Sequence, residues 1–236
     1  MSNKASRKEG IVRRFARRLN RHRLHIAAQL RLRAAVRAVA GFPRVKSQQD
    51  HRLPAPLIIT LTSYPPRFPM LANTIKSLLD QSMRADRLVL WITHEDMDAL
   101  PDDVRALEQH GLEIRGSIEM RSYKKLVPAL LAFPDAFLVT ADDDVYYPPR
   151  WLATLVESLD PQDPKIVSAR AHMARLDENG RFIPYINWEF DTQSQIATGP
   201  SKLLFPTGGA GTLYPRHASQ GRGPKPIVQL ALSHSR

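Results

Sequence analysis

Val139-Thr140-Ala141-Asp142-Asp143-Asp144-Val145-Tyr146-Tyr147 joins the end of an apolar run to three consecutive carboxylates. Ala136 to Thr140 has the length and composition of a buried strand, with Phe133-Pro134-Asp135 before it and Pro148-Pro149 after it as turn signals. The acids therefore stand at the carboxyl end of a strand, the end at which open α/β sheets bind ligands. Clustered carboxylates repel one another unless a cation or protons intervene. In an extended segment Asp142 and Asp144 project to one side and Asp143 to the other, so the first pair could grip one hard divalent cation. The competing reading is a solvated acidic turn that caps a helix starting near Pro148. The triplet alone leaves both open.

Outward from this stretch, strands and helices alternate. Leu57 to Thr62 reads as a buried strand broken by Ser63-Tyr64-Pro65-Pro66-Arg67, and Leu71, Ile75, Leu78 and Leu79 mark a helix over about 69–82. Arg87 to Thr93 is a second strand, Pro101 to His110 a short helix stopped by Gly111, and Leu112 to Arg115 a third strand. Tyr123 to Phe133 is expected to be helical, Pro148-Pro149 to open a helix, and Lys165 to Ser168 to form another strand. This alternation predicts an α/β fold with a mostly parallel sheet flanked by helices. Beyond Ser168 the pattern becomes irregular. A turn at Asp177-Glu178-Asn179-Gly180 leads into Phe182, Tyr185, Trp188 and Phe190, followed by the glycine-rich Thr207 to Pro215.

The chain of 236 residues is long enough for a sizeable core. It has no cysteine, which excludes a disulfide framework, a thiolate metal site and a cysteine nucleophile. The net charge of +11 is unevenly distributed: the first 50 residues carry 14 Lys/Arg against Glu9 and Asp50. Residues 1–50 are therefore set apart as a basic amphipathic helix over about 10–40, stopped at Gly41-Phe42-Pro43, plus a polar linker from Arg44 to Arg52. Such a helix suits an anionic membrane surface. Nucleic acid is the weaker partner, since Phe15 is the only aromatic residue before Phe42. His22 and His25, three apart within this helix, are read as solvated. No apolar run approaches the roughly 18 residues that span a bilayer.

A phosphate-cradling glycine loop is missing after the first strand, which argues against a dinucleotide-binding domain or a P-loop enzyme. A nucleotide-binding sheet without that loop can neutralise a diphosphate with a bound cation. In order along the chain, five segments carry a resemblance: Leu61 to Phe68, Leu88 to Ile92, Ser122 to Leu126, Thr140 to Tyr147 and Gly208 to Pro215. Together they resemble the GT-A-fold (Rossmann-like) nucleotide-diphospho-sugar glycosyltransferases, particularly family-2-like bacterial enzymes of capsule and lipopolysaccharide assembly. The resemblance spans about residues 57–215, within a domain placed at 51–215.

It implies metal-dependent transfer of a sugar from a nucleotide-diphosphate donor to a glycan or lipid-linked acceptor, with Mn²⁺ or Mg²⁺ as cofactor. Thr62, Ser63, Tyr64 and Arg67 would border the donor, joined by Lys124, Lys125, Asp142 and Asp143; Asp142 and Asp144 would hold the metal. Only one of Lys124 and Lys125 is expected to reach the diphosphate, the other being solvated. Tyr185, Trp188, Gly208 and Gly209 would border the acceptor, with Arg170 and His172 as further candidates. Enzymes of this kind carry an acidic general base beyond the glycine-rich loop, and this chain has no Asp or Glu after Asp191. Glu189 and Asp191 are the remaining candidates. Residues 216–236 read as an unfolded basic tail, and the domain as truncated. The alternatives are a nucleotide-binding pseudo-enzyme and a sugar-phosphate nucleotidyltransferase. The implied location is the cytoplasmic face of the membrane.

Overall fold

The apolar runs become the strands of one sheet. In the computed structural model, which describes residues 25–192 and 201–216, β1 (Leu57–Thr62), β2 (Arg87–Thr93), β3 (Leu112–Ser117) and β4 (Phe137–Thr140) run parallel. The chain divides into two compact units, Met1–Arg44 and Val45–Arg236. In the first, α1 covers residues 25–40 and ends where Gly41 donates to the Arg37 carbonyl. The expectations for residues 10–24 and for the tail at 217–236 lie outside the described residues.

The second unit holds a six-stranded sheet in the order β3-β2-β1-β4-β8-β5. Its last two members are β8 (Thr212–Tyr214), paired on both sides, and the edge strand β5 (Val167–Ser168). Helices α2 (Phe68–Leu79), α3 (Asp102–Arg105), α4 (Val127–Ala132) and α5 (Trp151–Glu157) flank it. The α/β architecture with a mostly parallel sheet is thus present. Leu57, Ile58, Ile59 and Leu61 are essentially inaccessible, as are Val89, Leu90 and Ile92 of β2. Each such aliphatic side chain contributes on the order of 2 kcal/mol by leaving water.

Three expectations change. The glycine-rich stretch is expected to be irregular, yet its last part is β8, which inserts antiparallel between β4 and β5 with Thr140 opposite Thr212 and Val139 opposite Leu213. Three residues are too few to show a period, so only their sheet partners make them a strand. Tyr123 to Phe133 is not one helix: a 3₁₀ segment over Arg121–Lys125 precedes α4. The segment read as a linker is partly anchored to the body. The Val45 amide donates to Asp80 at 2.8 Å, and Gln48 Nε2 donates to the carbonyls of Leu79 and Gln81 at the end of α2.

Strand order fixes where a ligand can sit. From β1 the chain lays β2 and β3 on one side, then crosses to place β4 on the other. Their loops part between β1 and β4, so the crevice at the carboxyl ends of that pair is a topological switch point. A separate two-stranded antiparallel sheet pairs β6 (Ala171–Met173) with β7 (Leu204–Pro206).

Candidate functional site

A cleft of about 610 Å³ opens at this switch point. It is lined by Thr62, Ser63, Tyr64 and Arg67 after β1, by Glu119 to Lys125 after β3 in part, by Asp96 after β2, and by Asp142, Asp143 and Asp144 after β4. All eight residues expected at the donor therefore line one cavity, and Asp144 lines it with them.

The acid turn is built from behind. The chain leaves the extended conformation at Asp143 and Asp144, so strand alternation does not govern the three carboxylates. Asp143 is buried and accepts a 2.6 Å hydrogen bond from Ser63 Oγ. Its carbonyl accepts from Thr74 Oγ1 at 2.9 Å. Ser77 Oγ accepts the Tyr147 amide at 3.1 Å, and Gln81 takes the Leu152 amide on Oε1 at 3.0 Å while donating to the Tyr147 carbonyl. Thr74, Ser77 and Gln81 are buried polar residues beside the apolar Leu71, Ile75 and Leu78 of α2. Thr74 and Ser77, three apart, share one face of α2, and Gln81 follows two residues past its end, where its Nε2 donates to the Ser77 carbonyl at 2.8 Å. That pattern was visible in the sequence and is the signal by which they could have been found.

Tyr147 ties the turn to the glycine-rich loop. Its buried phenol accepts the Asp142 amide at 2.8 Å and donates to the Gly209 carbonyl at 2.7 Å. Burial is the main cause that pushes its pKa well above the ordinary tyrosine range, and the three nearby aspartates add to it, so the hydroxyl stays a donor. Trp151, 4.3 Å from the Tyr147 ring, donates from Nε1 to the Ala210 carbonyl at 2.8 Å. The loop must be glycine to come this close. A Cβ on Gly209 would lie 2.2 Å from Asp142 Oδ2, and one on Gly211 would lie 2.5 Å from Trp151 Nε1.

Each carboxylate has a partner across the cleft. Lys125 Nζ pairs with Asp142, and Arg67 pairs with Asp144 while lying 3.7 Å from Asp143. Thr60 Oγ1 of β1 donates to the Lys125 carbonyl at 2.6 Å and so fixes where that lysine emerges. The expectation of one solvated lysine is not met. Lys124 is buried, with Nζ 2.8 Å from Glu119 Oε2 in an ion pair that lowers the Glu119 pKa.

For a hard divalent cation the donor chemistry fits, since Asp142 and Asp144 offer carboxylate oxygens to one cavity. Among the described residues, however, no three His, Asp or Glu side chains converge as a ready cation cluster. Both aspartates are held by Lys125 and Arg67.

Tyr185 and Trp188 stand elsewhere. They belong to an aromatic group in which Tyr185 meets Trp188, Phe190 and Phe205 at 5.2, 5.1 and 6.2 Å, against the buried ring of His172 at 5.9 Å. Glu189 accepts from Thr192 Oγ1 and Asp191 donates its amide to His172 Nδ1. Arg170 bonds Thr207 Oγ1 at 2.8 Å. None of these lines the cleft, whereas Gly208 and Gly209 pack against Lys125 and Asp142 at its edge. Asp96 and Glu119 are cleft acids that the sequence reading did not single out.

No protein-family model matches the chain, and no curated protein matches it. Among solved structures it is similar to a mannosyltransferase from Pyrobaculum calidifontis in complex with GDP-Man and Mn²⁺, at 16% identity and a TM-score of 0.39. That match covers 65% of this chain and 45% of the mannosyltransferase, so the chain spans less than half of its length. A 4-diphosphocytidyl-2C-methyl-D-erythritol synthase from Anaerococcus prevotii matches at 11% identity and a TM-score of 0.39, over 76% of each chain. A CMP:2-keto-3-deoxy-manno-octonic acid synthetase in complex with CTP matches at 13% identity and a TM-score of 0.41, over 77% of this chain and 86% of the other.

Proposed function

We propose that the chain binds a nucleotide-diphosphate sugar in the switch-point cleft and transfers the sugar to a glycan or lipid-linked acceptor. The observation that carries this reading is the mixed charge of one cavity at the carboxyl ends of β1 and β4, with Arg67 and Lys125 facing Asp142, Asp143 and Asp144. A ligand matched to both signs is an anion accompanied by a hard cation. Asp142 and Asp144 would hold Mn²⁺ or Mg²⁺, whose chemistry when bound is to neutralise the leaving diphosphate. Lys125 and Arg67 would take phosphate oxygens, and Lys124 would support the same wall through Glu119. Thr62, Ser63 and Tyr64 would border the nucleoside, with Asp143 held on Ser63 so that the β1 and β4 loops keep their spacing. Gly208 and Gly209 would border the acceptor, with Tyr185 and Trp188 as an aromatic wall further out.

The placement of Glu189 and Asp191 away from the cleft favours a second reading, a module that binds the nucleotide without completing transfer. Incubation with a panel of nucleotide sugars and Mn²⁺ tests both. Release of nucleoside diphosphate supports glycosyl transfer; metal-dependent binding with no turnover supports the module. Pyrophosphate release from a nucleoside triphosphate and a sugar phosphate would instead identify a nucleotidyltransferase and overturn the proposal.

The basic first unit is proposed to rest on an anionic membrane surface. Along α1, Ile26, Leu30, Leu32 and Val36 are exposed together with Arg31, Arg33 and Arg37. No helix among the described residues is long and apolar enough to cross a membrane. Full-length chain should sediment with vesicles containing phosphatidylserine and lose this on deletion of residues 1–44. Equal binding to neutral vesicles would contradict the electrostatic account.

A further inference from the structure

The cleft's opposite charges already neutralise one another. Lys125 is paired with Asp142 and Arg67 with Asp144, and these are the same groups that a cation and an anion would need. The Lys125 side chain is 17% exposed and Asp142 34%, so water only partly screens that pair. A divalent cation arriving alone must draw Asp142 and Asp144 away, leaving Lys125 without its partner and Arg67 with only Asp143 at 3.7 Å, both beside a dication. A phosphate arriving alone must draw off the two cations and leave carboxylates facing an anion. Losing a partner costs most at the partly buried Lys125–Asp142 pair and less at the more exposed Arg67–Asp144 pair. When both arrive, each charged side chain exchanges one partner for another and none is left alone.

We propose that Lys125 and Arg67 are internal counter-ions that close the cation site until a phosphate-bearing ligand draws them off. Cation and phosphate then bind with positive coupling, and the coupling is reciprocal by linkage. This rests on the proposed reading of the cleft as a cation and diphosphate site. It adds a consequence of opposite sign: removing a basic residue opens the site to metal alone while weakening it for phosphate.

The experiment is titration calorimetry on the full chain with Mn²⁺ alone, pyrophosphate alone, and pyrophosphate with Mn²⁺, after subtracting the association of the two probes in buffer. Wild type should bind the combination at least about tenfold more tightly than either probe alone, within the usual range of such coupling. Lys125→Met keeps most of the apolar stem, and Arg67→Gln reports independently on Asp144. Each should bind Mn²⁺ alone about tenfold more tightly than wild type and bind pyrophosphate with Mn²⁺ more weakly, with the far-ultraviolet circular dichroism unchanged. If the combination binds wild type but neither variant gains affinity for Mn²⁺ alone, the counter-ion role is overturned and the reading of the cleft stands. If wild type binds no probe in any combination, both fail.

Discussion

Replacing Tyr147 by phenylalanine removes one oxygen atom and strands two backbone groups. The ring is 2% exposed and keeps its packing against Trp151, so the apolar burial is unchanged. What is lost is the acceptor for the Asp142 amide and the donor to the Gly209 carbonyl, at 2.8 and 2.7 Å. A polar group left unsatisfied in a buried setting costs about 1–3 kcal/mol, and two partly buried ones together about 2–4 kcal/mol. For a domain of this size about 3 °C accompanies each kcal/mol, which gives a fall in Tm of roughly 6–12 °C. Urea unfolding and scanning calorimetry measure it. The phenol adds a pH signature. Burial raises its folded pKa, so its contribution is complete below the unfolded value of about 10 and is lost as the pH rises above that. The phenylalanine variant should show a shallower alkaline limb. A variant within about 0.5 kcal/mol of wild type, with an unchanged alkaline limb, would refute the clamp.

Gly211→Ala should destabilise by about 2–4 kcal/mol in urea unfolding, because φ of 108° disfavours a side chain and the added methyl meets the Trp151 ring. Asp144→Ala should leave the urea midpoint close to wild type, since the residue is exposed, while Mn²⁺-dependent nucleotide binding falls at least about tenfold in calorimetry. At Asp86, burial raises the pKa, but the Leu57 amide at 2.7 Å and His51 at 2.8 Å outweigh it and hold the carboxylate below its ordinary range. Its contribution is therefore present above about pH 4 and lost as the pH falls through the lower folded value. Asp86→Asn should lower Tm at pH 7 and flatten the acid limb of a Tm-against-pH series.

The sequence by itself determined the four parallel strands, the helices between them and the acid-tipped end of β4. Each of these is written locally: β1 is a continuous apolar run buried from Leu57 to Leu61, and α2 presents its apolar residues every three or four positions. It also placed Thr62, Ser63, Tyr64, Arg67, Lys124, Lys125 and the aspartates as candidates, and the strand order gathers them into one cleft. Only the tertiary structure decided the rest. β8 became a strand because β4 and β5 offered it edges, and three residues carry no period by which to announce themselves. The partners of the acid turn are non-local, with Asp142 meeting Lys125 17 positions away, Asp144 meeting Arg67 77 away and Asp143 meeting Ser63 80 away. Such pairs exist because β4 crosses to lie beside β1, a choice made by the packing of the whole sheet. The same packing left Glu189 and Asp191 beside His172 and Thr192, away from the cleft that the triplet of aspartates marks out.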